Sequence, residues 1–382
     1  MYKFFVILLC FYCCMNLQAL VLQKYEKIPK NSSSVKNIVE HFSKKDLIGQ
    51  LKDFLKISRP SRMIGSVGNI AARKYIIDFV KKIDLNDNFL QVDDFVPDVQ
   101  SAIQMYTNDF NREIKGKYLP QNPEYQKWDS FTRNMITVLK KHAGYSGKNI
   151  VFEKKGNISP KEVLIIGANY DTIVFDNKKM EIKEKVEMPG ADNNGTGVVI
   201  LLKLIELLVE LDIPKTIRIV FFDFEELGFL GSRAFVNKYY KEFKTNDIKM
   251  VGFINLLMLG NDSKRFDNDK KYNNMKIYIR SENDTGYLMD LKIANYFQQI
   301  GKKIEPIIDF EIMANGFESS SQISFWEKGI PAIVYTQNWE KDFNVQRYHT
   351  ENDLAETINT STFYRAFKHI TGAIIAWAFD IN

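Results

Sequence analysis

Three stretches in succession decide how this chain folds: VLIIGA at residues 163–168, TGVVILLKLIELLVEL at 196–211 and TIRIVFFDF at 216–224. The first and third are short, strand-like apolar runs; the second is a long apolar helix that Pro214 ends. Working outward, MVGFINLLML (250–259), MKIYIRS (275–281) and AIVYTQ (332–337) are further apolar strand-like runs, and helical patterns pass through Ala234 and Tyr239, 288–300 and 362–379. Strands alternating with helices predict an α/β three-layer sandwich, helices lying on both faces of a central mixed, largely parallel sheet. In such sheets the chemistry sits in loops beyond the strand C-termini. Towards the N-terminus, apolar residues from Val35 to Leu55 recur at helical spacing and predict a helix or helix pair. A turn from Arg59 to Gly68 precedes another helix carrying Ala72, Tyr75, Ile76 and Phe79, and 102–143 reads as helical or irregular decoration.

The 382 residues carry 45% hydrophobic and 26% charged side chains, which excludes a disordered chain and a polytopic membrane protein. The formal net charge of +5 is spread along the sequence without a basic block, so no nucleic-acid partner is expected. All three cysteines, Cys10, Cys13 and Cys14, fall within MYKFFVILLCFYCCMNLQA. Lys3, the apolar run from Phe4 to Met15 and the Leu17-Gln18-Ala19 site predict a signal peptide over residues 1–19, the alternative being an uncleaved anchor or a lipoprotein signal that uses one of these cysteines. The mature chain, 20–382, is then expected to be one secreted or periplasmic domain with an N-terminal helical extension and no membrane span. It would hold no thiol, so His, Asp or Glu must bind any metal.

Four loops at strand ends hold candidate groups: Asn169 and Asp171 in GANYDT, Asp192 in PGADNNGTG, Glu225 and Glu226 in FFDFEELGFLGS, and His349 in RYHTENDL. Taken alone, Asp192 reads as a helix cap. Two adjacent carboxylates behind Phe221, Phe222 and Phe224 are costly near a buried edge without a cation. His349 sits in a polar loop, whereas His41 and His369 lie in helical runs and His142 in a lysine-rich one. Asp192, Glu226 and His349 together make the three-ligand set with which a catalytic zinc leaves its fourth position to water, and Glu225 is the spare base beside it.

In their order, the motifs SRPSRMIGSVGNIAARKYI, GANYD, PGADNNGTG, FFDFEELGFLGSRAF, INLLMLG, GIPAIVYT and YHTENDL resemble the co-catalytic zinc aminopeptidase family, relatives of bacterial leucyl aminopeptidase, glutamate carboxypeptidase and glutaminyl cyclase. The resemblance implies a zinc exopeptidase fold and two zinc ions bound in the order His, Asp, Glu, Asp, His. It places these ligands at Asn169, Asp192, Glu226, Leu257 and His349, with the general base at Glu225. Two of the five are replaced, Asn169 and Leu257, and SSSQISFW (319–326) replaces a polar stretch near the substrate pocket. Both losses fall on one metal, so one zinc ion is expected. The expected function is a zinc-dependent, aminopeptidase-like peptidase of reduced activity on peptide or protein substrates. The alternatives are a non-catalytic binding protein on a peptidase scaffold and a glutaminyl-cyclase-like acyl transferase.

Overall fold

A computed structural model describes residues 26–83, 89–176, 178–184, 186–245, 248–263 and 272–382, so the expected leader lies outside the described residues. The helix pair near the N-terminus is α1, Ser32–Val39, and α2, Lys44–Ile57. Ser43 and Asp46 cap α2 reciprocally, each side chain bonding the other's backbone N–H, which satisfies two donors that a helix start leaves open. The turn from Arg59 to Gly68 leads into α3, Val67–Ile83.

Eight strands form one sheet: β1 Phe89–Phe95, β2 Gly147–Lys154, β3 Ser159–Asn169, β6 Lys215–Phe222, β7 Lys249–Leu256, β8 Met275–Tyr278, β9 Glu311–Met313 and β10 Ala332–Gln337. A separate two-stranded ribbon pairs β4, Phe175–Asp176, with β5, Glu181–Ile182. The order is β1-β2-β6-β3-β7-β10-β8-β9. The central four, β6-β3-β7-β10, run parallel, while β1, β2 and the β10–β8 pair add antiparallel contacts. The sheet is therefore mixed and largely parallel, as expected. After β3 the chain crosses to β6 on one side, and after β6 it crosses to β7 on the other. This reversal opens a crevice beyond the C-terminal ends of β3, β6 and β7.

The apolar stretch at 196–211 becomes α6, Thr196–Leu208, buried almost all round because it lies between the sheet and an outer layer of α2, α3 and the last helix, α10, Thr360–Ala378. Lys203 is tolerated there because its ammonium meets Glu206 at 2.8 Å and lies 4.3 Å over the Phe42 ring. α8, Tyr287–Ile304, completes that face against α10. The opposite face carries α7, Leu230–Thr245, and the short α9, Gln322–Trp326. Its core includes the rings of Phe222, Phe235, Phe253 and Phe325, the last two stacked at 3.9 Å. Gly167 lets these rings close on β3, since a Cβ there would sit 2.5 Å from Phe222 and 2.9 Å from Phe253.

Two readings sharpen. Residues 102–143 are a helical hairpin: α4, Val99–Phe110, a π-helical turn, Asn111–Lys115, and α5, Pro123–His142. The run at 216–224 leaves the sheet at Phe222; Phe224 takes φ of +57° and starts the loop that carries the two glutamates. Among the described residues no helix is long and apolar enough to cross a membrane.

Candidate active site

The crevice receives four chain segments. Asn169 ends β3, residues 190–195 lead into α6, residues 223–229 follow β6, and Leu257 follows β7. His349, at φ +56°, comes from the loop before α10 and accepts Phe175 N–H at its carbonyl.

Two of these segments are clamped by one residue. Arg62 is fully buried and donates from Nε to Tyr170 O at 2.6 Å, from Nη1 to Pro189 O at 2.5 Å, and from Nη2 to Gly190 O at 2.9 Å and Asn193 O at 3.4 Å. Its guanidinium thereby joins the carbonyls of the loop after β3 to those of the loop before α6, and its backbone adds two bonds to Thr172: the N–H donates to Oγ1 at 3.0 Å and the carbonyl accepts the Thr172 N–H at 3.3 Å. Burial lowers this guanidinium to about 10, against the pull of Asp353, Asp171 and Glu226. Its charge is the buried counterweight to the acids of the centre.

Glu225 lies deep in the site, both carboxylate oxygens accepting hydroxyls, Ser320 and Ser321, at 2.5 Å. Burial pushes it up to about 7 while the two serines pull it down, which suits a group that takes and returns a proton near neutrality. These serines lie in the stretch that replaces the family's polar segment, so the substitution keeps the glutamate bonded. Asn255 in turn donates to Ser320 Oγ at 2.7 Å. Beside it, Glu226 Oε2 stands 2.9 Å from His349 Nε2. The Glu226 N–H donates to Asp171 Oδ2 at 3.1 Å, and burial, then the charge of Glu226, raises Asp171 well above the ordinary carboxylate range.

The structure thus brings Glu225, Glu226 and His349 together and does not bring Asp192 to them. Asp192 Oδ1 accepts Gly260 N–H at 2.7 Å and Oδ2 accepts Asn344 Nδ2 at 3.4 Å. Burial and the neighbouring Asp353 push it up to about 7. The expected ligand set of Asp192, Glu226 and His349 is corrected here: its first member is a loop anchor. The next residue takes its place, because Asn193 Nδ2 donates to Glu226 Oε1 at 2.8 Å. A carboxylate only accepts, so the carboxamide must present its NH2 to Glu226. The turn that selects Asn193 is held by Asp353, whose two oxygens accept the N–H groups of Asp192 and Asn193 at 2.9 Å each.

The other half of the expected double site is likewise filled by hydrogen bonds and apolar contacts. Asn169 Oδ1 accepts Asn194 Nδ2 at 2.9 Å, and Asn194 Nδ2 also reaches Leu256 O at 2.7 Å. Leu257 is buried in a cluster with Met258, Tyr278 and Val334, against which Met313, Phe317, Trp339 and Tyr348 pack. Among the described residues no group of three or more His, Cys, Asp or Glu is placed to hold a metal. A catalytic zinc takes three protein ligands, and this centre offers Glu226, His349 and an amide that is already bonded. As arranged, these residues do not make a complete zinc site.

Asn193, Asp353 and Arg62 were missed in sequence. Arg62 had a weak signal in the SRPSR turn and Asp353 one in TENDL; nothing distinguished Asn193 from its neighbours.

A mixed α/β sandwich with paired glutamates and a histidine at the switch-point crevice defines a class, the zinc exopeptidase fold. More narrowly, the chain belongs to Peptidase family M28, whose model matches residues 149–374, more than half the chain, and by family it is a metallopeptidase. It is similar to Aminopeptidase YwaD of Bacillus subtilis, 25% identical over 240 residues that cover 62% of this chain and 46% of that protein. The probable leucine aminopeptidase of Arthroderma otae is 21% identical over 354 residues, 91% of this chain and 76% of that protein. This chain therefore spans less than half the length of YwaD and about three quarters of the fungal protein. Among solved structures, BSAP, a zinc aminopeptidase from Bacillus subtilis, superposes with a TM-score of 0.60 at 16% identity, covering 87% of this chain and 94% of that one.

Proposed function

We propose that this protein is an exported, aminopeptidase-like M28 peptidase of strongly reduced activity, which binds peptide or protein substrates in the crevice at the ends of β3, β6 and β7. The observation that carries the reading is the survival, in contact, of a buried glutamate suited to proton transfer and the Glu226–His349 pair at 2.9 Å beside it. The family and the aminopeptidase names of its relatives support it. Export rests on the leader-like first nineteen residues.

Glu225 receives the proton of a water attacking the peptide carbonyl and passes it to the departing amine as the C–N bond breaks. Ser320 and Ser321 orient the carboxylate for both transfers. Glu226, His349 and the bonded Asn193 amide fall short of three ligands, so the electrophilic assistance of a firmly held zinc is weakened, and turnover with it.

A second reading, a peptide-binding protein without catalysis, is favoured by the Asn193–Glu226 hydrogen bond, which satisfies one oxygen of Glu226 without any ion. Zinc content of the purified mature chain, together with binding and hydrolysis across a panel of aminoacyl peptides, separates the two. Slow hydrolysis with less than one zinc per chain supports the first reading. Peptide binding with no hydrolysis and no zinc supports the second, and neither binding nor hydrolysis rejects both.

A further inference from the structure

Alternate side chains of β7 face α9, and two of them meet it in different ways. Phe253 stacks on Phe325 of α9, whereas Asn255, next on that face, is a buried carboxamide near the end of an apolar strand. Its backbone is fixed from both sides, opposite Gly167 of β3 and Val334 of β10. A carboxamide taken out of water is costly unless its groups are bonded, so its partners show what it does there.

Those partners form a chain whose direction is forced. The Phe317 carbonyl can only accept, and the Gln322 carboxamide reaches it at 2.5 Å, so Gln322 turns Nε2 to Phe317 and Oε1 the other way. That Oε1 lies 3.3 Å from Asn255 Nδ2 and accepts from it. The NH2 of Asn255 therefore points towards α9, and it also donates to Ser320 Oγ at 2.7 Å. Ser320 has a single proton. With Asn255 donating to its oxygen, that proton is left for Glu225 Oε1 at 2.5 Å, a length that fits a hydroxyl on an ionised carboxylate. All four side chains of the chain, Gln322, Asn255, Ser320 and Glu225, are buried.

We propose that Asn255 is a positioning residue for the general base: by donating to Ser320 it commits that hydroxyl to Glu225 and so fixes the carboxylate as a proton acceptor. The proposal rests on the reading of the crevice as a hydrolytic site. It also gives the chain a one-way sense. Ser320 could take over the proton that Glu225 receives from the attacking water only by passing its own to Asn255, and the NH2 that faces it there cannot accept one. The proton stays on Glu225 until the departing amine takes it.

The test is a double-mutant cycle on hydrolysis by the mature chain, using the aminoacyl peptide it cleaves fastest. Asn255→Leu keeps the branched outline, fills the space and removes the donors; Ser320→Ala removes the hydroxyl. Each should lower kcat about tenfold, the value of one buried hydrogen bond, at unchanged KM. The double variant should fall no further, because Asn255 acts through that hydroxyl alone. An equal loss from Asn255→Leu with and without the Ser320 hydroxyl marks a purely structural role and overturns the proposal, as does wild-type kcat in Asn255→Leu. Neutron diffraction from crystals of the deuterium-exchanged wild-type chain needs neither a variant that folds nor turnover. It should place the Ser320 deuteron between Oγ and Glu225 Oε1, and a deuteron turned to Asn255 overturns the proposal even where peptides are cleaved. No cleavage by the wild-type chain, with that deuteron in place, overturns the hydrolytic reading and upholds the orientation of Glu225 by Asn255.

Discussion

Asn193→Asp is the most direct test of which residue faces the centre. The exchange is nearly isosteric, and it turns a hydrogen bond of 2.8 Å to Glu226 Oε1 into an oxygen–oxygen contact between two carboxylates. With charge centres about 4 Å apart and an effective dielectric near 20, the repulsion is about 4 kcal/mol. Escape by protonation costs a similar amount, since holding a carboxylate neutral at pH 7 means raising its pKa by about three units at 1.36 kcal/mol each. Without metal the variant should therefore lose about 4 kcal/mol, a fall of roughly 5 °C in melting temperature for a chain of this size. Zinc offsets most of this loss, because the new carboxylate with Glu226 and His349 completes three ligands around a dication. At a zinc concentration one hundred times the dissociation constant, binding returns about 2.7 kcal/mol. Thermal melts in chelator and in zinc, with zinc analysis after dialysis, should show a variant that is weaker than wild type without metal and strongly zinc-dependent. If Asp192→Asn instead abolishes a zinc response that wild type already has, and Asn193→Asp changes nothing, the reading of this turn is wrong.

Glu225→Gln should keep the fold and any bound metal while lowering residual peptide hydrolysis about 10²–10⁴-fold, and unchanged turnover would remove Glu225 from the mechanism. Arg62→Ala should lower stability by about 4 kcal/mol or more in urea unfolding, because four carbonyl contacts to two loops are lost together; a change near zero would show that the loops hold themselves. His369 is fully buried, neither ring nitrogen has a partner, and burial lowers it to about 3. The unfolded chain then binds a proton that the folded chain refuses between about pH 6.5 and 3, so stability falls as pH drops below about 6.5, by roughly 2 kcal/mol at pH 5. His369→Leu should flatten that part of the pH–stability curve, and parallel curves would refute the assignment.

The parallel core and its crevice were legible because periodicity and length carry them. A helix apolar on every side, such as Thr196–Leu208, and a strand buried throughout, such as Lys215–Phe222, have one stable placement, between layers. Glu225, Glu226 and His349 stood out for a related reason: adjacent carboxylates behind an aromatic strand, and a histidine in a polar loop, are hard to explain as packing. The hairpin from Val99 to His142 was less legible, since its packing stripe is shared with the glutamate loop of a distant segment.

By itself the sequence determined the order of strands and helices and the end of the sheet where chemistry gathers, while the replacement of ligands at Asn169 and Leu257 is what the family resemblance implies. Which of two adjacent residues, Asp192 or Asn193, faces Glu226 was decided only by the tertiary structure. In a strand or a helix a fixed period assigns neighbouring side chains to faces, but an irregular turn has no period. There the direction of each side chain follows from the backbone, and this backbone is set from far away in sequence, by Asp353 on its N–H groups and Arg62 on its carbonyls. The same distant contacts put a carboxamide where a complete zinc site needs a carboxylate.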